Sequence, residues 1–201
     1  VGLGGITDAT NVGDGSVAVV TPISLDHTEL LGDDVADIAM EKAGIIKEDG
    51  FLISAAQPME AAQVLLEKAR EVGVPYRFEG VEFGVESRVM AVGGQMLTIA
   101  GLAGRYEELL LPLHGKHQAE NAAVAVAALE AFIGGGTKEL DVELLRTGFS
   151  TVTSPGRIEV VRTAPTIVVD AAHNPAGAKA SAEAVLEAFS FTSLVLVVGI
   201  L

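Results

Sequence analysis

One lysine in this chain sits where an apolar residue belongs. Wound as a helix at about 100° per residue, the stretch after Asp33-Asp34 puts Val35, Ile38, Ala39, Ile45 and Ile46 on one side, with Lys42 in the middle of it. Asp37, Glu41, Lys47 and Glu48 point elsewhere, as a solvated face should. An unpaired ammonium among apolar groups is costly and is driven towards its neutral form. Either Lys42 snorkels or forms an ion pair, or its amine takes part in chemistry. His27 lies fifteen residues upstream, after Leu25-Asp26 at a strand-to-helix turn. Its imidazole there is a candidate metal ligand, and convergence with Lys42 at one strand's carboxyl end favours the chemical reading.

A second group stands near the end of the chain. Asp170, His173 and Asn174 follow an apolar run and precede a helical pattern. An open α/β sheet binds ligands at such a place, with free N–H groups at the helix start. Capping explains Asn174, with Pro175 at the first helical position; it explains an Asp-x-x-His pair less well, and that pair points to a ligand. His117 and Asn121 are one turn apart near the start of a long helix, and the same face continues as Val124, Ala125, Ala128 and Phe132. Polar groups at the entrance end alone imply a polar contact there, or else a satisfied core histidine; His114 is read as structural. Arg157 follows Ser154-Pro155-Gly156, a linker composition. From a linker a guanidinium either clamps phosphate or carboxylate across a cleft or is merely solvated.

These residues need strands and helices in alternation to hold them. Residues 16–20 read as a short strand stopped by Thr21-Pro22, and Asp33 or Asp34 caps the Lys42 helix. An apolar strand at 51–54 and a helix from Pro58 to about Val72, closed by Gly73, complete a pattern that predicts parallel pairing. Residues 81–92 and 95–100 alternate about Gly93-Gly94 as an antiparallel hairpin, with a further strand at 108–113. The helix over 116–132 is apolar on nearly every face and so should be buried, ending at 134–136; 141–149 is a short helix. A strand at 166–169, a helix to about Phe189 and a strand at 194–198 make a fresh α/β unit. The Gly-rich opening, 1–11, is a loop and no dinucleotide fingerprint, since no strand precedes it and no helix follows.

Composition narrows the partners. Of 201 residues 49% are hydrophobic, enough for a sizeable core, while aromatic residues are few and Trp is absent. A net charge of -14 without a basic cluster argues against nucleic acid and anionic membrane. An anionic substrate would then need a metal or a few placed Arg and Lys. The absence of cysteine excludes disulfides and thiolate metal sites and fits an intracellular protein; no run approaches the ~20 apolar residues of a membrane span, so a soluble protein is expected. The chain opens inside a Gly-rich motif and closes inside an apolar run, which predicts a piece of a longer protein.

Together, V-G-L-G-G-x-x-D-A-T-N, T-P-I-S-L-D-H-T-E-L-L-G, E-K-A-G-I-I-K, G-K-H-Q-A-E-N-A, S-P-G-R and D-A-A-H-N-P resemble, in order, the folylpolyglutamate synthase/dihydrofolate synthase family of the Mur ligase superfamily. The resemblance implies an α/β fold: part of a P-loop-type central ATPase domain with a β insertion (1–153), then the start of a Rossmann-like C-terminal domain (154–201). It implies a cytoplasmic, monomeric ATP-dependent amide ligase that phosphorylates a folate or pteroate carboxylate, whose acyl phosphate an L-glutamate amine attacks. ATP and Mg²⁺ are the implied cofactors, with room for a second divalent or a monovalent cation. The implied partners are small molecules, with neither nucleic acid nor membrane among them.

On that template His27 is a magnesium ligand and Lys42 is carbamylated by CO₂, becoming an anion able to face the metal. The same template makes Lys42, His27 and His173 catalytic. Asn121, Arg157, Asp170 and His173 contact ATP, Asn121 on the adenine side, and Asp8, Thr10 and Asn11 form a substrate loop. The chain departs from the family in having no G-x-x-x-x-G-K-[ST], in lacking the metal-binding glutamate that precedes V-G-L-G-G, and in carrying Ile6-Thr7 where an arginine is usual. The longer protein, and not this piece, is therefore expected to catalyse. A sister ligase of peptidoglycan synthesis acting on a nucleotide-sugar peptide, or a nucleotide-binding protein without catalysis, are the alternatives.

Overall fold

The computed structural model describes residues 5, 8–13, 15–24 and 34–199. Three short strands, β1 (Ala18–Val20), β2 (Leu52–Ser54) and β3 (Tyr76–Phe78), form a parallel sheet in that order. Helix α1 (Val35–Ala43) joins β1 to β2, and α2 (Met59–Val72) joins β2 to β3. Asp34 is the N-cap of α1, accepting the Asp37 N–H at 2.9 Å. Gly73, at φ 79°, ends α2 by returning its N–H to Ala69 and Arg70 carbonyls.

The parallel sheet is covered on both faces, as β-α-β crossovers require. Leu52 packs with Ile38, Ala39 and Ala43 of α1 and with Ala61, Leu65 and Ala69 of α2. Its neighbours Phe51 and Ile53 point the other way, into a second core that includes Leu97, Ile99, Leu109 and the helix α3 (Lys116–Gly134). That core is roofed by an antiparallel sheet of β4 (Gly84–Ala91), β5 (Gly94–Ala100) and β6 (Arg105–Leu111), the β insertion expected from the sequence. A short α4 (Val142–Ser150) follows, capped by Asp141.

After Arg157 the chain makes an antiparallel hairpin, β7 (Glu159–Thr163) with β8 (Thr166–Val169), and then α5 (Pro175–Ala188). The sequence reading had β8 and α5 but neither β3 nor β7, so the segment begins with a hairpin before its helix. Residues 194–198, expected as a strand, have no regular secondary structure and are exposed. A strand exists only against a neighbour, and none pairs with them among the described residues. Helix α3 is also less buried than its composition implied. Glu130, Val126 and Ala127 are fully buried, but Phe132 and Ile133 face solvent. No described helix is long and apolar enough to cross a membrane.

Candidate active site at the amino end of α3

The carboxyl ends of the parallel strands set the floor of the site. Past β1, the chain at Thr21–Ile23 is gripped by Gln57. The Gln57 amide oxygen accepts the Ile23 N–H at 2.9 Å, and its Nε2 donates to the Thr21 carbonyl at 3.0 Å and the Ser54 hydroxyl at 3.2 Å. His27, four residues beyond Ile23, lies outside the described residues.

Lys42 sits in the last turn of α1, half-buried, on the same side as the buried Ile38 and Ala39. Among the described residues no carboxylate pairs with it, so an ion pair does not account for its inward placement. The substrate-loop residues lie against this same turn. Asn11 Nδ2 donates to the Gly44 carbonyl at 3.0 Å and also to the Gly5 carbonyl. Gly5 must be glycine here, because a Cβ would fall 2.1 Å from the Glu41 carbonyl oxygen. Asp8 caps the 3₁₀ turn Ala9–Val12, accepting the Thr10 N–H at 2.8 Å and the Thr10 hydroxyl at 2.5 Å. Asp8 and Thr10 thus shape the loop, and Asn11 fastens it beside Lys42.

The other predicted residues converge from two directions on the start of α3. His117, half-buried in its first turn, feels the charges of Asp170, Glu120 and Arg157. Asp170 ends β8 and holds the Arg157 turn in place. One of its oxygens accepts the Ile158 N–H at 3.0 Å; the other accepts the Ala172 N–H at 2.9 Å and the Ser181 hydroxyl at 2.6 Å. The Ala171 N–H adds a bond to the Gly156 carbonyl at 2.8 Å. Ile158, though β-branched, is held at φ 50°, a conformation costing about 1–3 kcal/mol; its N–H bond to Asp170 and its buried side chain keep it there. The adjoining Arg157 is exposed. Burial alone would raise the Asp170 carboxyl, but the Ser181, Ala172 and Ile158 hydrogen bonds and the Arg157 charge hold it below the ordinary value.

Asn174 caps α5 by accepting the Gly177 N–H at 2.8 Å, as expected, and His173 beside it is exposed, its Nδ1 3.2 Å from the Ala171 carbonyl oxygen. Asn121 is exposed one turn beyond His117, touching Gln118 at 3.4 Å. It lies at the edge of an apolar groove of about 530 Å³ between α3, α4 and the end of β6, lined by Ala125, Leu129, Leu144 and Phe149 among others. A larger cavity of about 920 Å³, lined by Lys47, Lys68 and Glu71, includes none of these predicted residues.

Burial lowers the pKa of both His114 and His117 from the ordinary 6.5. Above 6.5 the imidazoles are neutral in folded and unfolded chains alike. Below it the unfolded chain takes the protons first, so stability falls as pH drops from 6.5 towards the lower folded values. His114 Nδ1 is buried without a partner, and the ring lies 5.2 Å from Phe189. A His114→Leu variant should flatten part of this acid slope, as read from urea midpoints between about pH 7.5 and about pH 5.

Parallel strands crossed by helices, a β roof and a second α/β segment beside the start of α3 define a mixed α/β fold. No protein-family model matches the chain. The Mycobacterium tuberculosis dihydrofolate synthase/folylpolyglutamate synthase is 48% identical over the whole chain, which covers 43% of that protein. The folylpolyglutamate synthase of Lacticaseibacillus casei is 33% identical, again over the whole chain, which covers 47% of it. Among solved structures, M. tuberculosis folylpolyglutamate synthase complexed with ADP superposes at TM-score 0.90 with 49% identity over 95% of the chain and 43% of its own. A folylpolyglutamate synthase complex with AMPPCP and folate superposes at 0.90 with 34% identity over 95% of the chain and 47% of its own. The chain belongs to the folylpolyglutamate synthase/dihydrofolate synthase family, and it spans rather less than half the length of these relatives.

Proposed function

We propose that the protein of which this chain is a part is an ATP-dependent ligase that adds L-glutamate to a folate or to dihydropteroate. Residues 1–153 would belong to its central ATP and folate domain, and 154–201 would open the second domain. The observation that supports this reading is that His117, in the first turn of α3, lies within electrostatic reach of Asp170 and Arg157 from the second segment. A helix amino end with a guanidinium nearby can receive phosphate. In a chain of net charge -14, such a local receptor is what a polyanionic nucleotide needs.

The ligase makes an amide from a carboxylate through an acyl phosphate, which the glutamate amine attacks with loss of phosphate. Arg157 neutralises the phosphoryl group in transfer. Asn121 offers amide hydrogen bonds at the lip of an apolar groove, a setting suited to a purine. Lys42, half-buried in the last turn of α1, would accept CO₂ on its amine, losing a proton, to become a carbamate. Mg²⁺ prefers oxygen donors, which a Lys42 carbamate would supply, while the nitrogen of His27 is the further ligand that the resemblance implies; when bound, the ion would offset phosphate charge. Among the described residues no three of His, Asp and Glu gather as a metal site. His173 is proposed on the nucleotide side, while Asp170 acts mainly by holding Arg157.

The test is turnover by the full-length protein with ATP and L-glutamate, given tetrahydrofolate, dihydropteroate or a UDP-sugar peptide as acceptor. Consumption of the folates supports the reading; consumption of the sugar peptide alone, or nucleotide binding without turnover, overturns it. Asp170→Asn should raise the ATP KM by roughly tenfold, because an amide cannot accept all three internal donors and the turn that carries Arg157 loosens. An unchanged KM would remove Asp170 from the account.

A further inference from the structure

Contacts between α5 and the rest of the molecule form a connected series of polar and apolar groups that the ligase reading does not use. Arg88, on β4, forks onto Glu187 at the end of α5, with N···O distances of 2.9 and 2.5 Å. The same guanidinium donates to the Gln95 side-chain oxygen at 3.1 Å. Gln95 is fully buried, and its Nε2 donates to the Leu113 carbonyl at 2.9 Å and the Gly115 carbonyl at 3.0 Å. Gly115 is the N-cap of α3, directly before the turn that carries His117. It has φ 95° and no room for a side chain, since a Cβ would lie 2.8 Å from the Ala184 Cβ of α5. Phe189, just past α5, packs on His114. Ala184, Glu187 and Phe189 therefore bind one end of α5 to the strand and loop that introduce α3.

We infer that Arg88, Gln95 and Glu187 are positioning residues, a latch that seats the segment carrying Arg157 and Asp170 against the amino end of α3. Gln95 is oriented by both ends at once, its oxygen accepting from Arg88 and its Nε2 donating to two carbonyls, so its amide cannot turn without losing bonds. Bidentate contact fixes direction as well as distance, and the Arg88 bond holds the Glu187 carboxyl below its ordinary pKa range. The rest of the contact between α5 and α3 is small, so this pair has leverage over how the two segments sit. The effect on nucleotide rests on the function proposed above; the latch does not.

The experiment uses the full-length enzyme with spin labels at Val92 and Lys179, both exposed, and the variants Arg88→Ala, Glu187→Ala and their double. The distance distribution should be narrow in the parent and broadened in each variant, the double no broader than either single, as expected of one shared contact. The ATP KM should rise by roughly tenfold with kcat changed by less than about threefold, and Glu187→Gln, which keeps one acceptor, should recover part of the loss. Unchanged distributions in all three variants overturn the latch. Broadened distributions with an unaltered ATP KM uphold the latch and overturn instead the placing of Arg157 on the nucleotide.

Discussion

Replacing Lys42 by alanine in the full-length enzyme is expected to lower kcat by at least ~10²–10³-fold, with the folded state intact. The lysine is half-buried at the end of α1, on the side of Ile38 and Ala39, and no carboxylate among the described residues compensates its charge. An ammonium kept for stability would be paired or fully hydrated. This one is half-buried with no carboxylate beside it among the described residues, a placement that the proposed carbamate would explain. Alanine is a good helix former at a helix end, so thermal stability should stay within a few degrees. Added bicarbonate should restore nothing, because no amine remains to be carbamylated. Lys42→Arg should be equally inactive, since a guanidinium stays protonated. Turnover near the parent level in either variant would make Lys42 a structural residue after all.

Glu130→Ala should produce the largest loss of stability of any single substitution outside the site. The Glu130 carboxylate is fully buried and accepts four hydrogen bonds: from the N–H groups of Leu102 (2.5 Å), Ala103 (3.1 Å) and Gly104 (3.0 Å), and from the Tyr106 hydroxyl (2.7 Å). Gly101 leaves space for it; a Cβ there would lie 2.5 Å from a carboxylate oxygen. Tyr106 in turn accepts the Leu140 N–H at 2.8 Å, and burial, with the bond to Glu130, pushes its hydroxyl up to about 12. One carboxylate thus joins α3, the β5–β6 turn and the approach to α4.

Removing the Glu130 carboxylate strands several buried donors, each costing about 1–3 kcal/mol, so a total of about 3–5 kcal/mol is expected after relaxation. The melting temperature should fall by roughly 10 °C or more. Glu130→Gln should cost at least about 2 kcal/mol despite its matching shape, because its NH₂ would point at donors. Activity per folded molecule should change little, as Glu130 is at the far end of α3 from His117. A melting temperature within about 2 °C of the parent for Glu130→Ala would show that the buried hub is not needed.

Local pattern was readable where it repeats. The apolar spacing of Val35, Ile38 and Ala39, Gly73 after α2, the Gly93 turn between β4 and β5, and Asn174-Pro175 opening α5 each state their geometry within a few residues and are found in place, although α1 stops at Ala43 and leaves Ile45 and Ile46, expected on its apolar side, beyond its end. Two strands escaped because they lack that signal. Tyr76–Phe78 is three residues long and half-buried throughout, and Glu159–Thr163 is exposed along its whole length, so neither has an inward period to detect. Residues 194–198 failed in the opposite sense, being apolar with no strand beside them.

The candidate residues could be named from their types, and their wiring could not. That Asp170 ties down the turn after Arg157 depends on contacts of Ile158 and Ser181 that no spacing reveals. Gln57, Gln95 and Glu130 were missed because their partners lie up to 36 residues away, and the Arg88–Glu187 pair spans 99. Some signal was present. Gln95 has the same strand parity as the buried Leu97 and Ile99, and Glu130 falls on the α3 stripe of Ala123, Val126 and Ala127. A polar residue in phase with a buried face deserved the question that Lys42 received.

The most direct test is a crystal structure of the full-length enzyme with a non-hydrolysable ATP analogue, Mg²⁺ and bicarbonate. The account predicts the phosphates between the amino end of α3 and Arg157, and planar density continuing from the Lys42 amine as a carbamate. A nucleotide bound away from Arg157 and His117, with a bare ammonium on Lys42, would contradict it.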